Sequence, residues 1–98
     1  MTTDIPVIDN PDSKRFEVHV DGQIARVEYI NATNKIVLTH TEVPINLEGR
    51  GIAKYLIKGT LDILRTRSID VIPLCPFVKS FIRRNPEYAD LVPAEYPL

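Results

Sequence analysis

The sequence predicts one mixed domain of the α+β or α/β class. We expect an antiparallel three-strand meander, a crossover helix, a fourth strand parallel to the third, and a C-terminal helix. Two observations support this prediction. Apolar and polar residues alternate early in the chain, which is typical of half-buried strands. After Pro44 the apolar residues recur instead at helical spacing, so the chain changes from strands to helices.

Turn signals divide the three strands of the meander. In the first strand, at residues 16–20, apolar side chains alternate with polar ones. Asp21-Gly22 predicts a tight hairpin, because glycine accepts the positive φ that such turns require. A second turn at residues 31–34 separates a strand at residues 23–30 from one at residues 35–43.

The second half of the chain predicts two amphipathic helices on either side of a short buried strand. The first helix is expected at residues 50–67, and Gly59 inside it indicates close packing. The strand at residues 68–74 follows a right-handed crossover and therefore lies parallel to the third strand. Pro76 is suited to open the last helix, and Asn85-Pro86 ends it. The remaining tail is expected to pack as coil.

Length and composition indicate one globular domain. Residues 14–98 are expected to form it, with residues 1–13 as a loose lead-in. A formal charge of −1 disfavours nucleic-acid binding, and no apolar run is long enough to span a membrane. A single cysteine and the lack of a signal peptide favour the cytoplasm. We expect a monomer or weak homodimer without a metal site.

Two glycines, Gly49 and Gly51, lie between the third strand and the basic helix. A helix start offers unpaired N–H donors and a partial positive charge, and glycine lets a ligand approach the backbone. This combination binds phosphate. Taken alone, the pair is equally compatible with a turn glycine followed by a helix-start glycine.

Two prolines mark the ends of the strands that are predicted to be parallel neighbours. Pro44 ends the third strand and Pro73 lies near the end of the fourth. Proline provides no N–H for strand pairing, so the two strands are expected to separate toward the same end. Such an opening could accept an extended, peptide-like ligand as a further strand. Ordinary strand termini are the alternative interpretation.

The segment from Val43 to Ala53 resembles motif A of the GNAT acetyltransferases, whose pattern is Arg/Gln-x-x-Gly-x-Gly/Ala after a central strand. Gly49 and Gly51 match this pattern, whereas Asn46 and Glu48 depart from it. The chain is most similar to the compact, single-domain YjdJ-type branch. The elements that carry this resemblance are His40-Thr41, Gly49-Arg50-Gly51-Ile52-Ala53 and Cys75-Pro76-Phe77.

The resemblance implies a minimal GNAT fold that binds acetyl-CoA or coenzyme A. The loop would hold the pyrophosphate, and the end of the third strand the pantetheine arm. The expected cofactor-binding residues are Val43, Pro44, Ile45, Gly49, Arg50, Gly51, Ile52, Ala53, Lys54 and Lys79. Arg83 and Arg84 form either a solvated helix face or a contact with the 3′-phosphate.

Three residues are predicted to carry the chemistry. Cys75 precedes the last helix, where the helix start and Lys79 would favour a thiolate. It is either a small core residue or, as the resemblance implies, a nucleophile or acid beside the thioester. His40 and Glu42 are expected on the strand face of Ile36 and Leu38, where either could accept an amine proton. Solvation at the strand end is the alternative for this pair.

These observations predict an N-acetyltransferase that moves an acetyl group from acetyl-CoA to a primary amine. The acceptor amine belongs to a small molecule or to a protein lysine. A non-catalytic acyl-CoA-binding or sensing module is the first alternative, because so short a chain leaves little room for an acceptor site. A domain that interacts with other proteins and binds no ligand is the second.

Overall fold

The computed structural model of the chain describes residues 5–96 and residue 98. Within them lie five strands, two α-helices and two 3-10 segments, at Ile45–Leu47 and Pro86–Leu91. The strands and helices in chain order are β1 (Ile8–Asn10), β2 (Arg15–Val20), β3 (Gln23–Ala32), β4 (Lys35–Glu42), α1 (Ile52–Thr66), β5 (Asp70–Pro73) and α2 (Pro76–Arg84).

The five strands form one sheet in sequence order, from β1 to β5. The first three pairings are antiparallel, and β4 pairs with β5 in parallel. Asp21 and Gly22 form the β2–β3 hairpin with φ values of 52° and 75°, as the turn signal predicted. The predicted fold class, with a meander, a crossover helix and a parallel strand, is therefore confirmed.

The lead-in differs from its prediction, because residues 8–10 form β1 and pair with β2. The prediction of a loose segment is wrong there. Long-range contacts hold it: Asp9 accepts hydrogen bonds from the Tyr29 hydroxyl at 2.7 Å and from Arg67 at 2.8 Å. The C-terminal tail also differs, since it includes a 3-10 segment that buries Tyr88 and Leu91. Neither segment carries a periodic sequence pattern.

Both helices contribute to the hydrophobic core on one face of the sheet. Cross-strand partners share a face, and Phe16 pairs with Val27 while Tyr29 pairs with Leu38. All four side chains are buried in one cluster with the apolar stripes of α1 and α2. The opposite face is polar and carries the charged side chains of the meander, including Arg15, Glu17, His19, Arg26 and Glu28.

Gly59 of α1 lies directly against Val7 of the lead-in. A Cβ atom built on Gly59 would collide with Val7 Cγ2 and lie 3.0 Å from Val7 Cβ. The Tyr55 hydroxyl, one turn earlier, donates to the Ile5 carbonyl. The close packing indicated by Gly59 is therefore present, and it holds the lead-in against the helix.

Glu17 is 3% exposed although it lies on the polar face. It accepts hydrogen bonds from His19 Nε2 at 2.8 Å, from Asn10 Nδ2 at 3.0 Å and from Arg15 Nε. Desolvation by burial favours a higher pKa for Glu17, but the hydrogen bonds from His19, Arg15 and Asn10 outweigh it. As a net result, the pKa of Glu17 is lowered from 4.5 to about 2.

Replacing Gly59 with alanine tests the packing of the lead-in. In a helix interior this change normally stabilises by about 1 kcal/mol. Here the new methyl group must displace Val7, so we expect a loss of about 1–3 kcal/mol in urea unfolding. In Gly59→Ala combined with Val7→Ala, the loss should be smaller than the sum of the single losses. A stabilised Gly59→Ala protein would contradict this packing.

Replacing Glu17 with glutamine tests the polar cluster. A carboxylate whose pKa is lowered by folding stabilises the fold at pH values above its pKa in the unfolded chain. This stabilisation is lost as the pH falls from about 4.5 toward about 2. We expect Glu17→Gln to lose about 1–3 kcal/mol near neutral pH and to flatten this acid dependence. Glu28→Gln is the control, because the Glu28 side chain is 40% exposed and pairs only at the surface. Equal acid profiles for Glu17→Gln and the parent would refute the assignment.

Candidate functional site

The sheet opens between β4 and β5. Their parallel pairing runs from Lys35 opposite Asp70 to Leu38 opposite Pro73, and β4 then continues to Glu42 paired with β3 alone. The last link across the gap is the Cys75 N–H, which donates to the Leu38 carbonyl at 2.9 Å. The pairing therefore stops where β5 itself ends, as at an ordinary strand terminus, and, among the described residues, 39–42 of β4 have no partner on the β5 side.

A β-bulge lies in β4 at the start of this opening. Glu28 pairs with His40 and Tyr29 with Leu38, so Thr39 is an additional residue on the β4 side. An extra residue reverses which face the following side chains occupy. His40 and Glu42 consequently share the polar face with their partners Glu28 and Arg26. Thr41, opposite the buried Val27, lies on the helix side.

The predicted placement of His40 and Glu42 on the face of Ile36 and Leu38 is wrong for this reason. The two side chains form their own pair, with His40 Nε2 2.8 Å from Glu42 Oε1. They are 54% and 50% exposed, and the hydrogen bond from His40 lowers the pKa of Glu42. They therefore border the opening from the polar side of the sheet.

The thiol of Cys75 lies at the opposite side of the same opening. Cys75 is the N-cap of α2, is 4% exposed, and is followed by Pro76 at the first helical position. Its Sγ lies 3.3 Å from Thr41 Oγ1, so the pair connects β4 to α2 across the gap. Thr41 was named only within the family resemblance and not as a site residue, because the bulge that turns it toward Cys75 has no local signal in the sequence.

A cleft of about 520 Å³ leads from this opening to the start of α1. The end of β4, the glycine loop, the first turn of α1 and one ring from α2 form its walls. Its lining residues are Thr41, Val43, Leu47, Glu48, Gly49, Gly51, Ile52, Ala53, Lys54 and Phe77. Six of the predicted cofactor-binding residues are therefore brought together around one cavity.

The glycine loop is shaped for close approach of a ligand. Gly49 and Gly51 have φ values of 83° and 76°, and a Cβ added at either would meet no atom within 4 Å. Gly51 is the N-cap of α1, so the N–H groups of residues 52–54 have no partner within the helix. The positive φ, and not a lack of space, explains why glycine is favoured at both positions.

Four predicted cofactor-binding residues lie outside the cleft lining. Pro44 and Ile45 follow β4, and the Ile45 side chain is 84% exposed. Arg50 Nη1 pairs with Asp21 at 2.9 Å, and the Lys79 ammonium lies 5.6 Å from the centre of the Tyr96 ring. The sequence did not indicate these partners, which come from distant segments.

A smaller basic cleft of about 260 Å³ adjoins the first and shares Lys54 and Phe77 with it. Arg84 and Ser80 of α2 also line this cleft. Lys54 and Arg84 give the combined cavity a positive end, whereas Glu48 places a carboxylate at the loop. Arg83 is not among the lining residues. Among residues 5–96 and 98, no cluster of side chains could hold a metal ion, and no helix is long and apolar enough to cross a membrane.

Comparison with known proteins adds the family. The GCN5-related N-acetyl-transferase family matches this chain over residues 15–91. Protein NATD1 from Bos taurus is 35% identical over 78 residues, which cover 74% of this chain and 67% of the relative. Protein NATD1 from Homo sapiens is 33% identical with the same coverage of both chains.

A solved structure supports the fold independently. The solution structure of a GCN5-like protein from Staphylococcus aureus superposes with a TM-score of 0.70 at 23% sequence identity. The superposition covers 93% of this chain and 90% of that one. The family match spans the strand opening, the glycine loop and Cys75. This chain therefore belongs to the GCN5-related N-acetyltransferase family.

Proposed function

We propose that this protein binds acetyl-CoA in the cleft at the strand opening and transfers its acetyl group to a primary amine. The main support is the continuity of the cleft. It runs from the glycine loop at the start of α1 to Thr41 on β4, whose side chain contacts the Cys75 thiol. A long ligand with a phosphate group at one end and a reactive sulfur at the other suits this arrangement.

The glycine loop is the proposed site for the pyrophosphate. The N–H groups at the start of α1 lack helical partners, and the open space at Gly49 and Gly51 admits phosphate oxygens to the backbone. Lys54 adds positive charge at the cleft wall, while Glu48 opposes it. The residues present therefore fit the group that the family uses.

The exposed edge of β4 is the proposed site for the pantetheine arm. Beyond Leu38 this strand has no neighbour on the β5 side, so its backbone groups can pair with the amides of an extended ligand. Val43 lines the same cleft, and Pro44 and Ile45 continue the chain from it. The nucleotide end would then reach the basic cleft, where Arg84 is the better candidate than Arg83 for the 3′-phosphate.

Bound acetyl-CoA would supply an acetyl group activated as a thioester, and Cys75 is the residue that we propose acts on it. As a nucleophile, Sγ would lose its proton and form a bond to the acetyl carbon while the bond from that carbon to the coenzyme A sulfur breaks, and the released thiol carries the proton away. The amine would then take the acetyl group from Cys75 and leave its thiol restored. As an acid, the same S–H would supply the proton to the departing sulfur. Both roles require Sγ at the opening, which the Thr41 contact and the helix N-cap provide.

The acceptor amine would approach from the polar face. His40 and Glu42 border the opening on that side and are half exposed, so an incoming ammonium group can reach them. Either side chain can accept the amine proton before attack. The bulge thus assigns the thiol and the proposed proton acceptors to opposite faces of one sheet.

The polar face also supports a second candidate function. Among the described residues both α-helices contribute to the core on the other face, so no helix encloses an acceptor. A non-catalytic acyl-CoA-binding or sensing module would need only the cleft. Such a module would bind coenzyme A and acetylate no amine.

The glycine loop is tested by Gly51→Ala. We expect coenzyme A binding to weaken about tenfold in titration calorimetry, the equivalent of one charged backbone hydrogen bond. Gly22→Ala is the matched control, because Gly22 has φ 75° and equally open surroundings but lies in the β2–β3 hairpin. Both variants should lose about 1–2 kcal/mol of stability, because alanine is strained at a positive φ. Equal affinity in the two variants would remove the loop from the site.

Cys75 is tested by intact-protein mass spectrometry after incubation with acetyl-CoA and no acceptor. A nucleophilic role predicts one added acetyl group, absent in Cys75→Ala, since the chain has no other cysteine. An acid role predicts no adduct but a slower transfer to amines in Cys75→Ser with unchanged affinity for coenzyme A. If Cys75→Ser binds and transfers acetyl like the parent, the thiol is packing. Binding without transfer by the parent would favour the sensing module.

A further inference from the structure

The contact between Thr41 and Cys75 joins the two sides of the strand opening. Thr41 Oγ1 lies 3.3 Å from Cys75 Sγ, within hydrogen-bonding distance for sulfur, and either atom can donate. Thr41 also lines the large cleft, whereas Cys75 is 4% exposed and is not among the lining residues. The Thr41 hydroxyl therefore links the thiol to the cleft.

Two backbone features hold this contact in place. The bulge at Thr39 turns Thr41 toward the helices, opposite the buried Val27. The Cys75 N–H donates at 2.9 Å to the carbonyl of Leu38, which precedes Thr41 by three residues on β4. Both partners are thus attached to β4, so the distance between oxygen and sulfur does not depend on a mobile segment.

We propose that Thr41 is the positioning residue for the Cys75 thiol and stabilises its thiolate. In the protonated state the S–H donates to Thr41 Oγ1. After the proton leaves, the hydroxyl rotates and donates to the negatively charged Sγ, which is the stronger of the two hydrogen bonds. Its relevance to acetyl transfer rests on the proposed function, but the hydrogen bond itself does not.

Charged side chains lie on α2 and at the wall of the large cleft. Lys79 lies one turn along α2, where its ammonium stacks over Tyr96. Lys54 and Glu48 are exposed at the cleft wall with opposite charges. Each remains present when Thr41 alone is changed, so a comparison of Thr41 variants isolates the hydroxyl.

The test is a pH titration of the Cβ resonance of carbon-13-labelled Cys75, which is unambiguous because the chain contains one cysteine. Thr41→Val keeps the branched shape and removes the hydroxyl. We expect its titration midpoint to rise by about one pH unit, the effect of losing one hydrogen bond to a charged group. Thr41→Ser restores the hydroxyl and should return the midpoint toward the parent value.

Thr66→Val is the control for loss of a threonine hydroxyl away from the site, since Thr66 Oγ1 donates to the Ile63 carbonyl at 2.6 Å at the end of α1. Its midpoint should match the parent. Coincident midpoints for Thr41→Val, Thr41→Ser and the parent would overturn the proposal, because a purely structural threonine would not change the titration.

Binding of acetyl-CoA to the parent protein is measured in a separate experiment. Failure to bind there refutes the proposed function and leaves the thiol result to be judged by itself.

Discussion

The site depends on the point at which β4 and β5 stop pairing. Up to Leu38 and Pro73 the two strands form an ordinary parallel ladder. Beyond Pro73 the Leu74 N–H turns back to the Ile72 carbonyl, and the Cys75 N–H donates to the Leu38 carbonyl as the chain turns into α2. One interruption therefore exposes a backbone edge of β4, places a helix start beside it and brings a thiol to the gap.

The bulge at Thr39 decides the chemistry on each side of the opening. Without it, His40 and Glu42 would lie on the face of the core and Thr41 would be exposed to solvent. With it, Thr41 contacts the cysteine and the His40–Glu42 pair borders the polar face. The side chains that border the gap are therefore divided between the two faces of the sheet.

The polar face of the sheet is organised despite the lack of a helix over it among the described residues. Glu17 is held by three donors, and its neighbours Arg26 and Glu28 form a separate ion pair. The buried carboxylate is stabilising only while its partners remain, so this face is sensitive to substitution even though it is open. The core side is different, because its stability comes from apolar side chains of both helices and the sheet.

Local sequence rules determined most of the architecture. Alternating side chains predicted the meander, Asp21-Gly22 its hairpin, Pro73 the end of β5, and Pro76 the start of α2. The position of Gly49 and Gly51 between β4 and α1 was likewise predicted, and both have the positive φ that glycine favours. Each of these features depends on a few neighbouring residues.

Only the tertiary structure decided the rest. Strand β1 forms because β2 offers it an edge, and Arg50 and Lys79 turn to Asp21 and Tyr96. The faces of His40 and Thr41 depend on a bulge defined by pairing with β3. These outcomes come from contacts between residues distant in sequence, whose energies no short pattern of residues contains. The sequence therefore determined which groups are available to the site, and the sheet decided which of them meet.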